Sequence, residues 1–304
     1  MNFPLRPWLL VLGLALTIYA VSVFALTQEQ AGLAFSRLGS WHGLLAAGLC
    51  LVSYLLRGLR WIAWMKLQGR QLGRSEGLRF YVAGYAFTPT PGNVGEAMRG
   101  VLLSRQPLSW SSSLAIFGAE RLADLICLSL LALPMAWWLL ATLPAWLGLS
   151  LLMGALLAIY VVSAKRWRPL LLQRLPWLRQ AWTCLNTRPA YWFLLTMSAW
   201  TAQGLAVWLL FLQLLEAPLG PVLAAAIYAV SMVGGALSML PAGLGGTEAI
   251  LVALLLGQGA SLAVAVVLTV MVRLLTLWFA VALGVICLFY SSLVRKDLRF
   301  SAAP

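Results

Sequence analysis

Long apolar runs separated by short polar stretches dominate the chain. Residues 8–26, 43–64, 109–133, 146–163, 190–215 and 261–290 are six such runs. A helix of about 20 residues crosses the roughly 30 Å hydrocarbon core of a bilayer, so each predicts a transmembrane helix. Two further apolar stretches behave differently. Residues 80–91 run into the breaker cluster Pro89-Thr90-Pro91-Gly92-Asn93, and residues 222–240 run into Pro241-Ala242-Gly243-Leu244-Gly245-Gly246. Proline and glycine are costly inside a helix. The first stretch is also too short to cross, since twelve helical residues span only about 18 Å. Each pattern restarts as helix after its break, Asn93 and Glu96 resembling a capping box. The pattern therefore predicts two re-entrant helical hairpins, over 80–105 and 222–257. Irregular backbone at that depth must be covered by protein or line a wet cavity.

The two breaks are copies of one motif. Shifted by 152 positions, Pro89 falls on Pro241, Glu96 on Glu248, Ala97 on Ala249 and Arg121 on Arg273. Each copy runs from Pro, seven residues on to Glu, then 25 more to Arg. Matched, interrupted hydrophobic segments in two halves point to a transport site between inverted-topology repeats. The expected fold is an all-α polytopic membrane protein with about six transmembrane helices and two re-entrant hairpins. Its parts are an N-terminal half (1–163), a basic loop (164–189) and a C-terminal half (190–304).

Composition agrees. The chain is 62% hydrophobic and only 10% charged, with a mean hydropathy of +0.91. A soluble globule carries about 25% charged residues. The net charge of +13 does not call for nucleic acid, because the basic residues cluster in short loops. Residues 57–79 hold Arg57, Arg60, Lys66, Arg70, Arg74 and Arg79, and residues 164–189 hold six basic residues and no acidic one. By the positive-inside rule both are cytoplasmic loops, with N- and C-termini on the same side. Residues 27–42 and 216–221 are then outer loops. The first run is read as a retained span rather than a secretory signal, being long for a signal's apolar region. Many of the fifteen tryptophans, including Trp137, Trp138 and Trp146, fit interfacial belts. The four cysteines show no CxxC spacing and read as buried small hydrophobes. With one histidine, His42, no metal site is expected, and no cofactor either.

The charges inside the apolar runs carry the chemistry. Arg121 and Arg273 each lie twelve residues after a serine that opens their span (Ser109, Ser261), about 18 Å deep. A bare charge there costs at least about 2.5–3.5 kcal/mol on insertion scales. Glu96 and Glu248, at the hairpin tips, are partners at matching depth. Arg offers a planar fork suited to phosphate, and restarted half-helices direct N–H groups into the same region. Together these predict an anion site in mid-membrane, with proton coupling through a desolvated Glu as a hypothesis. The alternative is that Glu96 caps its helix and that the Glu–Arg pairs only lock the structure. Glu120, Asp124 and Arg99 complete the candidate set, Asp124 as a neutraliser of Arg121 and Arg99 as an anchor or head-group contact. Pro89, Pro91, Gly92, Asn93, Pro241, Gly243 and Gly245 form the breaks.

Arg57-Gly58-Leu59-Arg60-Trp61, the stretch Pro89 to Arg99, Glu120-Arg121-Leu122-Ala123-Asp124, the stretch Pro241 to Glu248 and Arg273 together resemble the lysylphosphatidylglycerol synthetase transmembrane family. The resemblance spans nearly the whole chain. It implies translocation of lipids with charged or glycosylated head groups across the cytoplasmic membrane. The full-length resistance factors of that family carry a soluble transferase after the membrane part. This chain ends at Pro304, so lipid aminoacylation is not expected. The hairpins with Glu and Arg are also similar to those of DedA-type polyprenyl-phosphate carriers, which implies a polyprenyl lipid among the substrates. The first reading is thus a lipid flippase or transporter acting on membrane lipids with anionic or polyprenyl-phosphate head groups. The others are a proton-coupled small-anion transporter, or a non-transporting subunit that docks a membrane-associated glycosyltransferase. No nucleophile–base set or nucleotide loop suggests an enzyme. Oligomeric state is left open.

Overall fold

The computed structural model describes residues 28–101, 107–142 and 175–294, together with the isolated positions Gly13 and Thr17. The first and fourth predicted spans, Arg105 and the basic tail lie outside the described residues. The described part is helical throughout, with no strand among those residues. In chain order the helices are α1 (Gln28–Leu38), α2 (Trp41–Leu67), α3 (Arg74–Ala83), α4 (Met98–Val101), α5 (Trp110–Thr142), α6 (Pro176–Asn186), α7 (Pro189–Phe211), α8 (Pro221–Leu237), α9 (Gly246–Gly257), α10 (Leu262–Arg273) and α11 (Phe279–Val294). Helices α2, α7 and the continuous α10–α11 rod are long and apolar enough to cross a membrane. A π turn, Leu274–Trp278, joins α10 to α11.

Four expectations change. Residues 27–42 are not an open loop. They form α1, with Glu29 in its first turn and Arg37 in its last, each matching the helix dipole. Ser40 then caps α2 by accepting from the Gly43 N–H. Arg57 and Arg60 are not loop residues, because α2 continues to Leu67 and buries both. Residues 164–189 are not all loop either. Pro176 opens α6, which packs on α5 and buries Ala181 and Cys184. Burial pushes the Cys184 thiol up to about 11, consistent with a small hydrophobe. Finally, α5 does not stop at Leu133 but runs through Pro134 to Thr142. A proline inside an apolar helix is tolerated where neighbouring helices satisfy the freed carbonyl.

Both predicted breaks are present. The first arm, α3, tightens into a 3-10 turn (Gly84–Phe87), and a second 3-10 segment (Pro91–Ala97) leads into the single turn α4. In the second copy α8 ends at Leu237, the chain turns through Pro241–Gly243, and α9 restarts at Gly246. The 152-residue offset also relates whole elements. Helix α5 starts at Trp110, and the α10–α11 rod starts at Leu262. Arg121 and Arg273 thus occupy the same position on equivalent helices.

The halves pack reciprocally. α2 lies along α7, α8 lies on α5, and α11 lies on α3 and its 3-10 extension. Each broken helix is therefore covered by the arginine-bearing helix of the other half, and the two breaks touch each other. Close approach requires glycine at Gly284, where a Cβ would collide with the Ala86 backbone.

Candidate functional site

The interior holds an ion cluster built from the first half. Glu96 is buried and accepts from the Thr88 hydroxyl at 2.8 Å, from Arg99 at 2.8 Å and from Arg121 at 3.4 Å. Arg99 also reaches Glu120 at 3.2 Å, and its guanidinium lies 4.4 Å over the Tyr81 ring. Gly84 makes room for it, since a Cβ there would sit 3.1 Å from the Arg99 side chain. Glu120 is completely buried, with Arg60 3.7 Å away. Asp124 accepts from Arg60 at 2.8 Å and from the Trp200 indole at 3.2 Å, and its second oxygen lies 3.2 Å from Arg121. Arg60 donates in addition to Thr196 at 2.7 Å. Three carboxylates and three guanidiniums thus share one desolvated network. The six charges come from α2, the first break, α4 and α5, and α7 of the second half adds Thr196 and Trp200.

The break presents these groups. Gly92 and Asn93 take left-handed backbone angles (φ 59° and 57°). Thr90 donates to the Phe87 carbonyl at 3.0 Å and accepts from the Gly95 N–H at 2.8 Å, which closes the turn. Ser113 of α5 donates to the Ala97 carbonyl and ties the restarted segment to the arginine helix. Asn93 does not cap a helix as expected, because Glu96 is engaged by Thr88 and the arginines.

The second copy is simpler. Arg273 is buried, donates to Glu248 at 2.6 Å and also to the Ala242 carbonyl at 2.8 Å. Glu248 in turn accepts from the Gly245 N–H at 2.8 Å. The carboxylate expected to face an anion thus accepts from one N–H at the start of its own helix as well as from Arg273. Ala242 sits at φ 54°, an unusual angle for a residue with a Cβ, and Arg273 holds its carbonyl there. Pro241, Gly243 (φ 65°) and Gly245 (φ 85°) shape the same turn.

A cavity of about 70 Å³ lies between the two copies. Arg57, Asn93, Glu96 and Arg121 line it from one half, and Gln203, Tyr228, Ala242 and Arg273 from the other. Among the expected residues Glu96, Arg121 and Arg273 thus reach one space. Arg99, Glu120 and Asp124 stand behind them, and Glu248 touches the space only through Arg273. A larger cavity of about 540 Å³ lies on the far side of Arg60, lined also by Lys66, Arg74, Arg188 and Trp64. Sequence reasoning missed Arg57 and Arg60 as site residues. The signal was the spacing Ser53, Arg57, Arg60, polar side chains four and three apart on one face of an otherwise apolar helix.

Fold and site together define an all-helical membrane protein with a duplicated broken helix around buried acid–guanidinium contacts. The chain belongs to the family described as the lysylphosphatidylglycerol synthase TM region, whose model matches residues 9–284. It is also similar to the inner membrane protein YbhN of Escherichia coli (strain K12). The two are 26% identical over 268 residues, covering 84% of this chain and 81% of the relative.

Proposed function

We propose that the protein translocates an anionic lipid, a phospholipid or a polyprenyl-linked lipid, across the bacterial inner membrane. The two broken helices act as re-entrant hairpins entering from opposite faces. The head group halts at Glu96, Arg121 and Arg273, while the apolar chain stays in the bilayer. The observation that carries this reading is the exposed apolar surface at the two breaks. Leu237 (75% exposed), Met239 (67%), Leu240 and Val94 sit on the touching breaks and are open to the outside of the bundle. Irregular backbone at that depth lines a cavity rather than bare lipid, so these apolar tips border a space that an amphiphile's apolar chain can share. Charged groups in the interior behind exposed apolar tips suit an amphiphile, whereas a small-anion pore would close its walls with protein. The ion cluster also stands between the two cavities, where alternating access needs a barrier.

Reconstitution into vesicles with labelled phosphatidylglycerol or polyprenyl phosphate tests this reading. The expected outcome is leaflet exchange well above that of empty vesicles. Arg121→Ala should cut it at least tenfold while leaving a folded protein, because the Arg121 side chain is one-third exposed. If the wild type accelerates exchange of no such lipid, the proposal fails.

A further inference from the structure

Among the described residues, five arginines line or support the central site, and four of them are neutralised by protein. Arg60, Arg99, Arg121 and Arg273 each lie within 4 Å of a carboxylate. Arg57 is the exception. It is 6% exposed, donates to the Ser53 hydroxyl at 3.0 Å, and its Nε has no hydrogen-bond partner. Its other company is aromatic, with the Trp200 ring 4.7 Å and the Tyr54 ring 5.7 Å from the guanidinium carbon. A buried guanidinium with no carboxylate within 4 Å is expensive, and cation–π contacts offset only part of that cost. Arg57 lines the 70 Å³ cavity, which receives three guanidiniums and one carboxylate, Glu96. Two more polar atoms there are unsatisfied, Asn93 Oδ1 and Arg121 Nε. The space takes a tetrahedral oxyanion or a few waters, not a sugar or a whole lipid.

We infer that Arg57 is the recognition residue for a phosphate group, completing its missing ion pair with the ligand rather than with the protein. The inference rests on the translocation reading for its substrate class but not for the site itself. Guanidinium N–H groups bind phosphate oxygens as a fork, and Trp200 and Tyr54 hold the plane of that fork fixed. Arg121 supplies the second cation. Glu96 sets the upper limit on ligand charge, since it repels an anion that approaches its side of the cavity. Arg121 and Arg273 have carboxylate partners to keep; Arg57 has no carboxylate to lose.

The test is binding by purified protein in detergent, measured by calorimetry with four probes: farnesyl phosphate, phosphatidylglycerol, inorganic phosphate and uncharged farnesol. Wild type should bind at least one phosphate-bearing probe and ignore farnesol. Arg57→Met should weaken that binding at least thirtyfold, and Arg57→Lys should restore part of it. Thermal unfolding without ligand separates this from a structural role. Removing an uncompensated buried charge should leave the unfolding temperature of Arg57→Met unchanged or raised, whereas loss of a structural contact would lower it. Binding of phosphate lipids but not of free phosphate identifies a lipid head group as the source. Binding of free phosphate alone keeps the Arg57 site and removes the lipid. Binding without leaflet exchange keeps the site and removes translocation. Arg57→Met binding as wild type does, or wild type binding none of the phosphate probes, overturns the inference.

Discussion

The two halves share one scaffold but differ in electrostatics. At the 152-residue offset, Arg121 matches Arg273 and Glu96 matches Glu248, while Arg99, Glu120 and Asp124 match Leu251, Val272 and Thr276. The first half therefore holds a desolvated network of six charges, and the second a single pair tied to its own turn. Glu248 spends one oxygen on the helix start at Gly245 and the other on Arg273. That arrangement fixes a backbone shape. In the first-half network each charge has more than one partner, Glu120 lying near both Arg60 and Arg99 and Asp124 near both Arg60 and Arg121. The two copies share a frame, and the first carries the larger charge network.

This contrast orders the effects of substitution. Glu120→Ala should be the most damaging, since it leaves Arg60 and Arg99 short of a counter-charge in a fully buried place. Losing one partner of a buried pair costs about 3–5 kcal/mol, so little folded protein should survive extraction, read by size-exclusion profile in detergent. Arg273→Ala should be milder. It removes hydrogen bonds made by a charged group, worth about 1.5–3 kcal/mol each, and Glu248 is part-exposed and can rehydrate. A lower unfolding temperature with a retained monodisperse profile is expected. Equal damage from the two substitutions would break the distinction between the halves.

Gly284→Ala probes the reciprocal packing itself, because the new methyl group meets the Ala86 backbone across the half-to-half interface. Overpacking of this kind costs about 1–3 kcal/mol, again read by thermal unfolding. The smallest effect is expected at the second break. Ala242→Gly relieves a left-handed residue, which costs about 1–2 kcal/mol with a Cβ present, against the extra chain entropy of glycine. The net should be a stabilisation of no more than about 1 kcal/mol. A destabilisation would mean that the Ala242 methyl contributes packing the turn needs.

How much of this the sequence carried depended on which signal each residue gave. Both breaks were legible, because Pro89, Pro91, Gly92 and Pro241, Gly243, Gly245 interrupt apolar runs that nothing else interrupts. The pairing of Glu96 with Arg121 and of Glu248 with Arg273 was legible from a 25-residue spacing that occurs twice. Arg57 and Arg60 were misplaced because charge counting assigns arginines near a span end to the adjoining basic loop. Their burial depends on α2 running on to Leu67 and on Thr196 and Trp200 arriving from α7, a contact 136 residues distant for Arg60 and Thr196. Helix α1 was missed because its polar, weakly charged residues resemble a loop until their fit to a neighbouring helix is known. That Glu248 would also accept from the Gly245 N–H at the start of its own helix was not legible, since its spacing marked it only as the partner of Arg273.

The central claim is that two back-to-back breaks meet halfway through the bilayer. Spin labels at Val94→Cys and Met239→Cys, both exposed apolar positions on the breaks, measure this directly by their relative accessibility to oxygen and to a water-soluble relaxation agent in lipid vesicles. The account predicts that both labels lie close to the bilayer centre and broaden one another when present together. A label at head-group depth, or both labels reached from the same aqueous face, would contradict it.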